Sequence, residues 1–177
     1  LAYGLPRQVL EAMVRSRLID DVVTFPTSPH KTGDNNTYLR RWWEVSARRV
    51  GVHERWVPYA KGGGARRWSG LLIDVVDWSS SALDFYASNS SSSLMKRDPD
   101  ALEGVTYSML TSGTNTFRVL PAGAAFDMGG PGFFPTGLSV ELALAVVNSD
   151  MARMVLDALN PTLNLQVREV KQIPVPD

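Results

Sequence analysis

The sequence predicts a mixed α/β (α+β) single domain with a mostly β, loop-rich core and helices at both ends of the chain. Three observations carry this. An amphipathic helical pattern opens the chain at residues 5–19 and a longer one fills Val140–Leu159. Between them lie only short β-branched and aromatic runs. Clusters of Gly, Pro, Asn and Ser separate those runs. At 177 residues the chain is long enough for one domain with a proper core.

At the N-terminus, Leu5, Val9, Leu10, Met13, Val14 and Leu18 recur at helical spacing, and Pro6 suits a first turn. Asp21–Phe25 is apolar and β-branched, a short strand. Pro26–Asn36 is a loop by composition, and Thr37–Val45 fits either strand or helix, its aromatics and the turn before it favouring a strand. Trp56–Tyr59 is extended, Gly62-Gly63-Gly64 is a turn, and Leu71–Trp78 is β-rich. Residues 79–100 hold eight serines and read as a serine-rich loop insertion, with Asp84, Phe85 and Tyr86 as anchors. Strands follow at Thr106–Leu110, Thr116–Leu120 and Ala124–Met128, and Gly129-Gly130-Pro131-Gly132 breaks the chain. Asn148-Ser149-Asp150 splits the long helical pattern, with Asn148 or Ser149 capping its second half. Leu163–Val167 and Ile173–Pro176 are extended.

Charge is distributed unevenly. Between Lys31 and Arg67 nine Lys/Arg face three Asp/Glu, a net of +6, while the remaining residues carry −6 and the total is zero. A basic third in a neutral chain points to a polyanion-facing surface and says nothing of the fold. The absence of cysteine excludes disulfides and thiolate chemistry. No apolar run approaches the roughly 20 residues of a membrane helix, so a cytoplasmic protein without membrane partners is expected. The chain opens on Leu1 rather than Met and is expected to be a piece of a longer polypeptide.

Catalytic constellations are weak. His30 and His53 are read as solvated loop residues without a third ligand. Gly62-Gly63-Gly64 lacks the Gly-Lys-Ser/Thr ending of a phosphate loop. Nucleic-acid contact has more to work with. Lys61, Arg66 and Arg67 flank the glycines, Trp68 follows, and Asn35 and Asn36 carry amides suited to adenine. Trp42, Trp43, Trp56 and Trp68 are more often core residues than stacking platforms.

Several segments together resemble a known family. Thr32-Gly33-Asp34-Asn35 with Tyr38-Leu39-Arg40 and Trp42-Trp43-Glu44-Val45 resembles a signature of large adenine-specific DNA methyltransferases of bacterial phage defence, the BREX or phage-growth-limitation type. Lys61-Gly62-Gly63 with Arg66-Arg67-Trp68, Val76-Asp77-Trp78, Gly104-Val105-Thr106-Tyr107-Ser108, and Phe126-Asp127 with Gly129 are similar to that family's segments, in order. So are Val147-Asn148-Ser149, the run Leu159–Val167, and Ile173-Pro174-Val175-Pro176. The resemblance covers residues 25–177.

In that family these segments follow the catalytic domain, in the region taken to recognise the DNA target; related type II restriction-modification enzymes carry a similar region. The resemblance therefore implies that residues 1–177 are a target-recognition domain for double-stranded DNA, from a protein whose catalytic domain is absent here. Lys31, Thr32, Asn35, Asn36, Arg40, Lys61, Gly62, Gly63, Arg66, Arg67 and Trp68 are its expected DNA-binding residues, with Asp34 forming the turn. Asn160, Asn164 and Gln166 are expected to bond within turns and strands. The Asn/Asp-Pro-Pro-Tyr/Phe motif is missing, since Thr162 follows Asn160-Pro161. No methyl transfer and no cofactor are expected on this chain; S-adenosylmethionine belongs to the missing catalytic domain, a partner within the same polypeptide. Ser69 stands where the family tends to have Tyr, which removes an aromatic contact. The alternative is a protein-interaction module that binds a partner defence subunit. A further variant has a parent that also cleaves DNA.

Overall fold

Pro6 cannot donate a backbone hydrogen bond and sits before the first turn of helix α1 (Arg7–Arg15), where none is needed. A computed structural model describes residues 5–98, 100–160 and 162–176. Helix α1 ends earlier than its apolar pattern, because Ser16 turns extended (φ −84°, ψ 160°) and leads into strand β1 (Arg17–Leu18). One turn, α2 (Ile19–Val22), precedes β2 (Val23–Thr24), so the expected strand at Asp21–Phe25 survives only in its middle.

After the Pro-rich loop comes a one-turn helix, α3 (Asn35–Tyr38), then β3 (Leu39–Arg41). The strand expected over Thr37–Val45 is thus three residues long, and it passes into 3-10 turns at Trp42–Glu44 and Ala47–Arg49. Strands β4 (Trp56–Ala60) and β5 (Asp74–Asp77) follow. The serine-rich segment is not a loop throughout: Ser80–Ser88 forms helix α4. Serine is an indifferent helix former, but Ala82 and Tyr86 stand four apart, and both are buried against β4 and β5.

Strands β6 (Gly104–Tyr107), β7 (Phe117–Leu120), β8 (Ala125–Phe126) and β9 (Gly132–Pro135) complete the β-rich middle. The chain then forms α5 (Val140–Val147), α6 (Asp150–Leu159), α7 (Val167–Val170) and β10 (Pro174–Val175). Ser139 caps α5 by accepting from the Leu142 amide at 3.2 Å, and Ser149 caps α6 by accepting from Ala152 at 3.1 Å. Each such cap contributes about 1 kcal/mol.

The strands form three sheets. One is the antiparallel pair β1–β10; the second has the order β2-β9-β6-β7 and is antiparallel throughout; the third has the order β3-β5-β4-β8. In the third sheet only β8 runs parallel to its neighbour, with Tyr59 opposite Ala125 and Ala60 opposite Phe126. Helices α5 and α6 cover the second sheet, burying Leu144, Val147 and Leu156 against Val105, Tyr107, Phe117 and Phe133. Helix α4 covers one face of the third sheet through Val57, Tyr59 and Val76. Ala60, Leu120 and Phe126 join the two sheets in a smaller cluster with Met95. Burying each Leu or Phe in such a core contributes roughly 1.5–3 kcal/mol. The result is a mixed α/β domain, mostly β, as the sequence predicts.

His30 departs from its reading as a solvated loop residue. Its side chain is fully buried, with ring centroids of Trp78 and Tyr86 at 4.9 and 4.6 Å, and Tyr59 donates to its carbonyl at 2.9 Å. Burial pushes its imidazole down to about 4, so the ring is neutral near pH 7.

Candidate nucleic-acid interface

The loop between β4 and β5 is the most outward-facing segment of the basic region. Every residue from Gly63 to Gly70 is exposed. At its base Gly62 crosses the Gly129-Gly130 turn so closely that any side chain on Gly62 would enter the Gly129 backbone. The Ser108 hydroxyl donates towards the carbonyls of Gly63 and Gly64, at 3.2 and 3.0 Å. Further on, the Arg66 amide donates to Thr116 Oγ1 at 2.9 Å. Trp68 donates to the Phe117 carbonyl at 3.0 Å and accepts from Val119 at 2.9 Å. The loop therefore crosses from the third sheet and is stitched onto the outer edge of β7.

That stitching holds Trp68 at φ 74°, with the residue 54% exposed. A left-handed conformation costs a non-glycine residue about 1–2 kcal/mol. Strain on an exposed aromatic directly after two arginines is the kind of outlier that marks a binding element. Arg66 folds back over Gly70, and Arg67 points into solvent. Beneath the loop, Arg118 is buried with its Nη2 3.3 Å from Ser108 Oγ.

The second predicted segment, Lys31–Arg40, is built differently. Lys31 exchanges two backbone hydrogen bonds of 2.8 Å with Ser93, which ties the loop to the serine-rich segment. Thr32 is buried, and its hydroxyl donates to Asn35 Oδ1 at 2.7 Å. As a DNA-contacting residue Thr32 is therefore corrected: its side chain shapes the loop. Asp34 caps α3, accepting from Thr37 N at 3.1 Å and Thr37 Oγ1 at 2.6 Å. Those bonds hold its carboxyl below the ordinary aspartate range, and they are the turn-forming role expected of it.

Asn35 and Asn36 are exposed. They line a groove of about 500 Å³ with Arg40, Arg41 and Lys61 and the carboxylates of Glu44 and Asp74. One nitrogen of Arg40 is occupied within the loop, donating to the carbonyls of Asn36 (2.8 Å) and Leu39 (2.6 Å). Lys61 faces two carboxylates, those of Asp74 and Asp127; burial raises both acids, and Lys61 opposes the rise in each. The groove thus unites Asn35, Asn36, Arg40 and Lys61, whereas Arg66, Arg67 and Trp68 form a separate projection that does not line it.

Close ion pairs are few across this surface. Of the nine Lys/Arg between residues 31 and 67, Arg41 pairs with Asp74 at 2.9 Å and Arg55 with Asp77 at 2.6 Å. The other seven have no ion-pair partner among the described residues. Sequence reasoning set Trp42 and Trp43 aside as core, yet they are 52% and 56% exposed and packed edge to face at 5.5 Å; of the four tryptophans so read, only Trp56 is buried. Their position directly after Arg40-Arg41 is the available signal. Asn160 bonds within its own turn, as expected, donating to the Asn164 carbonyl at 2.6 Å. No group of three or more His, Asp or Glu that could hold a metal occurs among the described residues. No helix among them is long and apolar enough to cross a membrane.

No family model matches the chain. Two curated proteins are similar to it. The adenine-specific methyltransferase PglX of Lacticaseibacillus casei (strain Zhang) is 26% identical over 191 residues, taking in 99% of this chain and 16% of the relative. The adenine-specific methyltransferase BrxX of Escherichia coli O9:H4 (strain HS) is 29% identical over 150 residues, 81% of this chain and 12% of the relative. The chain is similar to a small part of adenine-specific methyltransferases. It spans less than a fifth of either relative's length, so most of each relative has no counterpart here.

Proposed function

We propose that this chain is a DNA target-recognition region of a longer adenine-specific DNA methyltransferase serving phage defence or restriction-modification. It selects the duplex site, and methyl transfer with its S-adenosylmethionine belongs to the remainder of the longer protein. One observation carries the reading: the exposed Gly63–Gly70 loop presents Arg66, Arg67 and Trp68 without acidic partners among the described residues. Glycines let such a loop approach a backbone closely, and guanidinium groups neutralise phosphates or read guanine. The Asn35–Lys61 groove, with its exposed amides, supplies the second contact. The likeness to PglX and BrxX supports the methyltransferase context.

The test is a fluorescence-anisotropy titration against duplex DNA of random sequence at low and moderate salt, with an Arg66→Ala/Arg67→Ala variant alongside. Each phosphate contact adds about −0.9 to the slope of log K against log salt. The variant is expected to bind more weakly and with a slope shallower by up to about two. Equal affinity and slope in both proteins would remove the loop from the interface.

A second reading, as a protein-interaction module, draws on exposed Leu110, Met128 and Leu163, which are 66%, 63% and 60% accessible. Absence of DNA binding at low salt favours it.

A further inference from the structure

On the face of the third sheet that turns away from α4, a slot of about 320 Å³ opens beside Trp42. Pro58 and Val75 stand opposite each other on β4 and β5 and form its floor; Val50 and Leu72 close its sides. Asp74 stands at one end, its carboxylate 2.9 Å from Arg41 Nη1. Trp42 is held there by the bond from its amide to the Ile73 carbonyl (3.1 Å), and Trp43 packs against it edge to face. This arrangement leaves indole surface open to solvent. Arg48 and Arg49 follow on the next 3-10 turn, exposed and without ion-pair partners among the described residues.

We infer that this slot takes one unstacked base of single-stranded or locally opened nucleic acid, stacked on Trp42, with Arg48 and Arg49 on the flanking phosphates. The inference rests on the nucleic-acid reading of the basic segment but concerns a different surface and a different state of the ligand. Size is one argument: the volume lies at the lower end of small-molecule sites and suits one flat heterocycle. Chemistry is the second. Apolar walls and an aromatic face accept any base, since each has a π surface, and flanking arginines complement the backbone. Adenine presents a larger π surface than thymine, so stacking strength gives it the preference. The charge of the surroundings chooses the occupant: an apolar protein side chain would fill the slot equally well but gains nothing from a segment of net +6.

The experiment titrates labelled single-stranded octamers of deoxyadenosine and of thymidine, and separately a blunt random duplex, into the wild-type chain and into Trp42→Ala and Trp42→Leu. Leucine keeps apolar bulk at the position and removes the π face, so it isolates stacking from folding. The adenine octamer is expected to bind more tightly than the thymidine octamer. Both variants are expected to lose about tenfold or more in affinity for it, the range of one base–aromatic stack. Octamer affinity unchanged in Trp42→Leu overturns the slot, as does failure of the wild type to bind the adenine octamer at low salt. Trp42-dependent octamer binding without any duplex binding upholds the slot and sinks the target-recognition reading instead.

Discussion

Gly62 and Gly129 touch backbone to backbone, and a methyl group added to Gly62 would run into the Gly129 carbonyl. The contact joins two sequence segments 67 residues apart, and beside it the Asp127 amide donates to the Ala60 carbonyl at 3.0 Å. The base of the exposed loop is therefore fixed although its tip is open. Gly62 also sits at φ 76°, so a side chain there meets both strain and a clash.

Gly62→Ala is expected to destabilise the domain by roughly 3 kcal/mol, combining left-handed strain with overpacking. Gly63→Ala is the control. Its φ of 87° is also left-handed, but nothing lies within 4 Å of the added methyl. It should cost about 1 kcal/mol. Urea denaturation of the two variants measures the difference; equal midpoints would refute the backbone crossing.

Asn148 links the helical layer to the strand that carries the loop. Its side chain accepts from the Phe117 amide at 3.0 Å and donates to the carbonyls of Phe117 (3.0 Å) and Leu144 (3.1 Å), all buried. Asn148→Ala leaves the Phe117 amide without its side-chain acceptor, on the residue whose carbonyl accepts from Trp68. A loss of about 2–3 kcal/mol is expected, together with faster amide exchange at Val119, whose partner is the Trp68 carbonyl. An unchanged Val119 exchange rate would show that the loop does not depend on this link.

Much of this was legible in the chain, and the reasons for the rest are physical. The split between α5 and α6 shows because Ser139 and Ser149 are good caps and the apolar period is helical. Helix α4 was hidden because composition masks period: Ala82 and Tyr86 carry the packing inside a serine run. The strand at Gly132–Pro135 was masked by the glycines and proline that precede it. In the site, the basic segment and the capping role of Asp34 follow from local sequence. Burial of Thr32 and His30 does not, because it depends on Ser92, Tyr86 and Trp78, many residues away. Nor does sequence tell an exposed tryptophan from a buried one. Trp42 and Trp56 have similar neighbours, yet only Trp56 lies within a strand that is covered.

His30 makes the domain sensitive to mild acid. Its imidazole is held down to about 4 by burial, below the ordinary value of 6.5. Stability is therefore complete above pH 6.5. It is lost as pH falls towards 4, because the unfolded chain takes up a proton that the folded chain refuses. The full loss amounts to roughly 3 kcal/mol. His30→Phe keeps a ring against Trp78 and Tyr86 and should flatten stability between pH 6.5 and 5, a range in which ordinary carboxylates contribute little. Parallel pH profiles for the two proteins would rule out a buried neutral His30.

Trp68 should trade stability for contact. Its backbone partners, Phe117 and Val119, bond to main-chain atoms that any residue supplies. Its side chain is more than half exposed, while its φ of 74° suits only glycine well. Trp68→Gly relieves about 1–2 kcal/mol of strain and loses a partly buried ring, so stability should stay within about 1 kcal/mol of wild type. Trp68→Ala loses the same ring and keeps the strain. Alanine should therefore be the less stable variant, the reverse of the usual order in extended structure, where glycine is worse by roughly 0.5–1 kcal/mol. Both variants should lose duplex affinity alike, because both remove the exposed indole that follows Arg66 and Arg67. Urea denaturation and anisotropy on the same preparations read the two effects separately. Alanine more stable than glycine would mean that the left-handed turn at Trp68 is not retained in solution. Unchanged DNA affinity in both variants would mean that the ring, however exposed, faces something other than DNA.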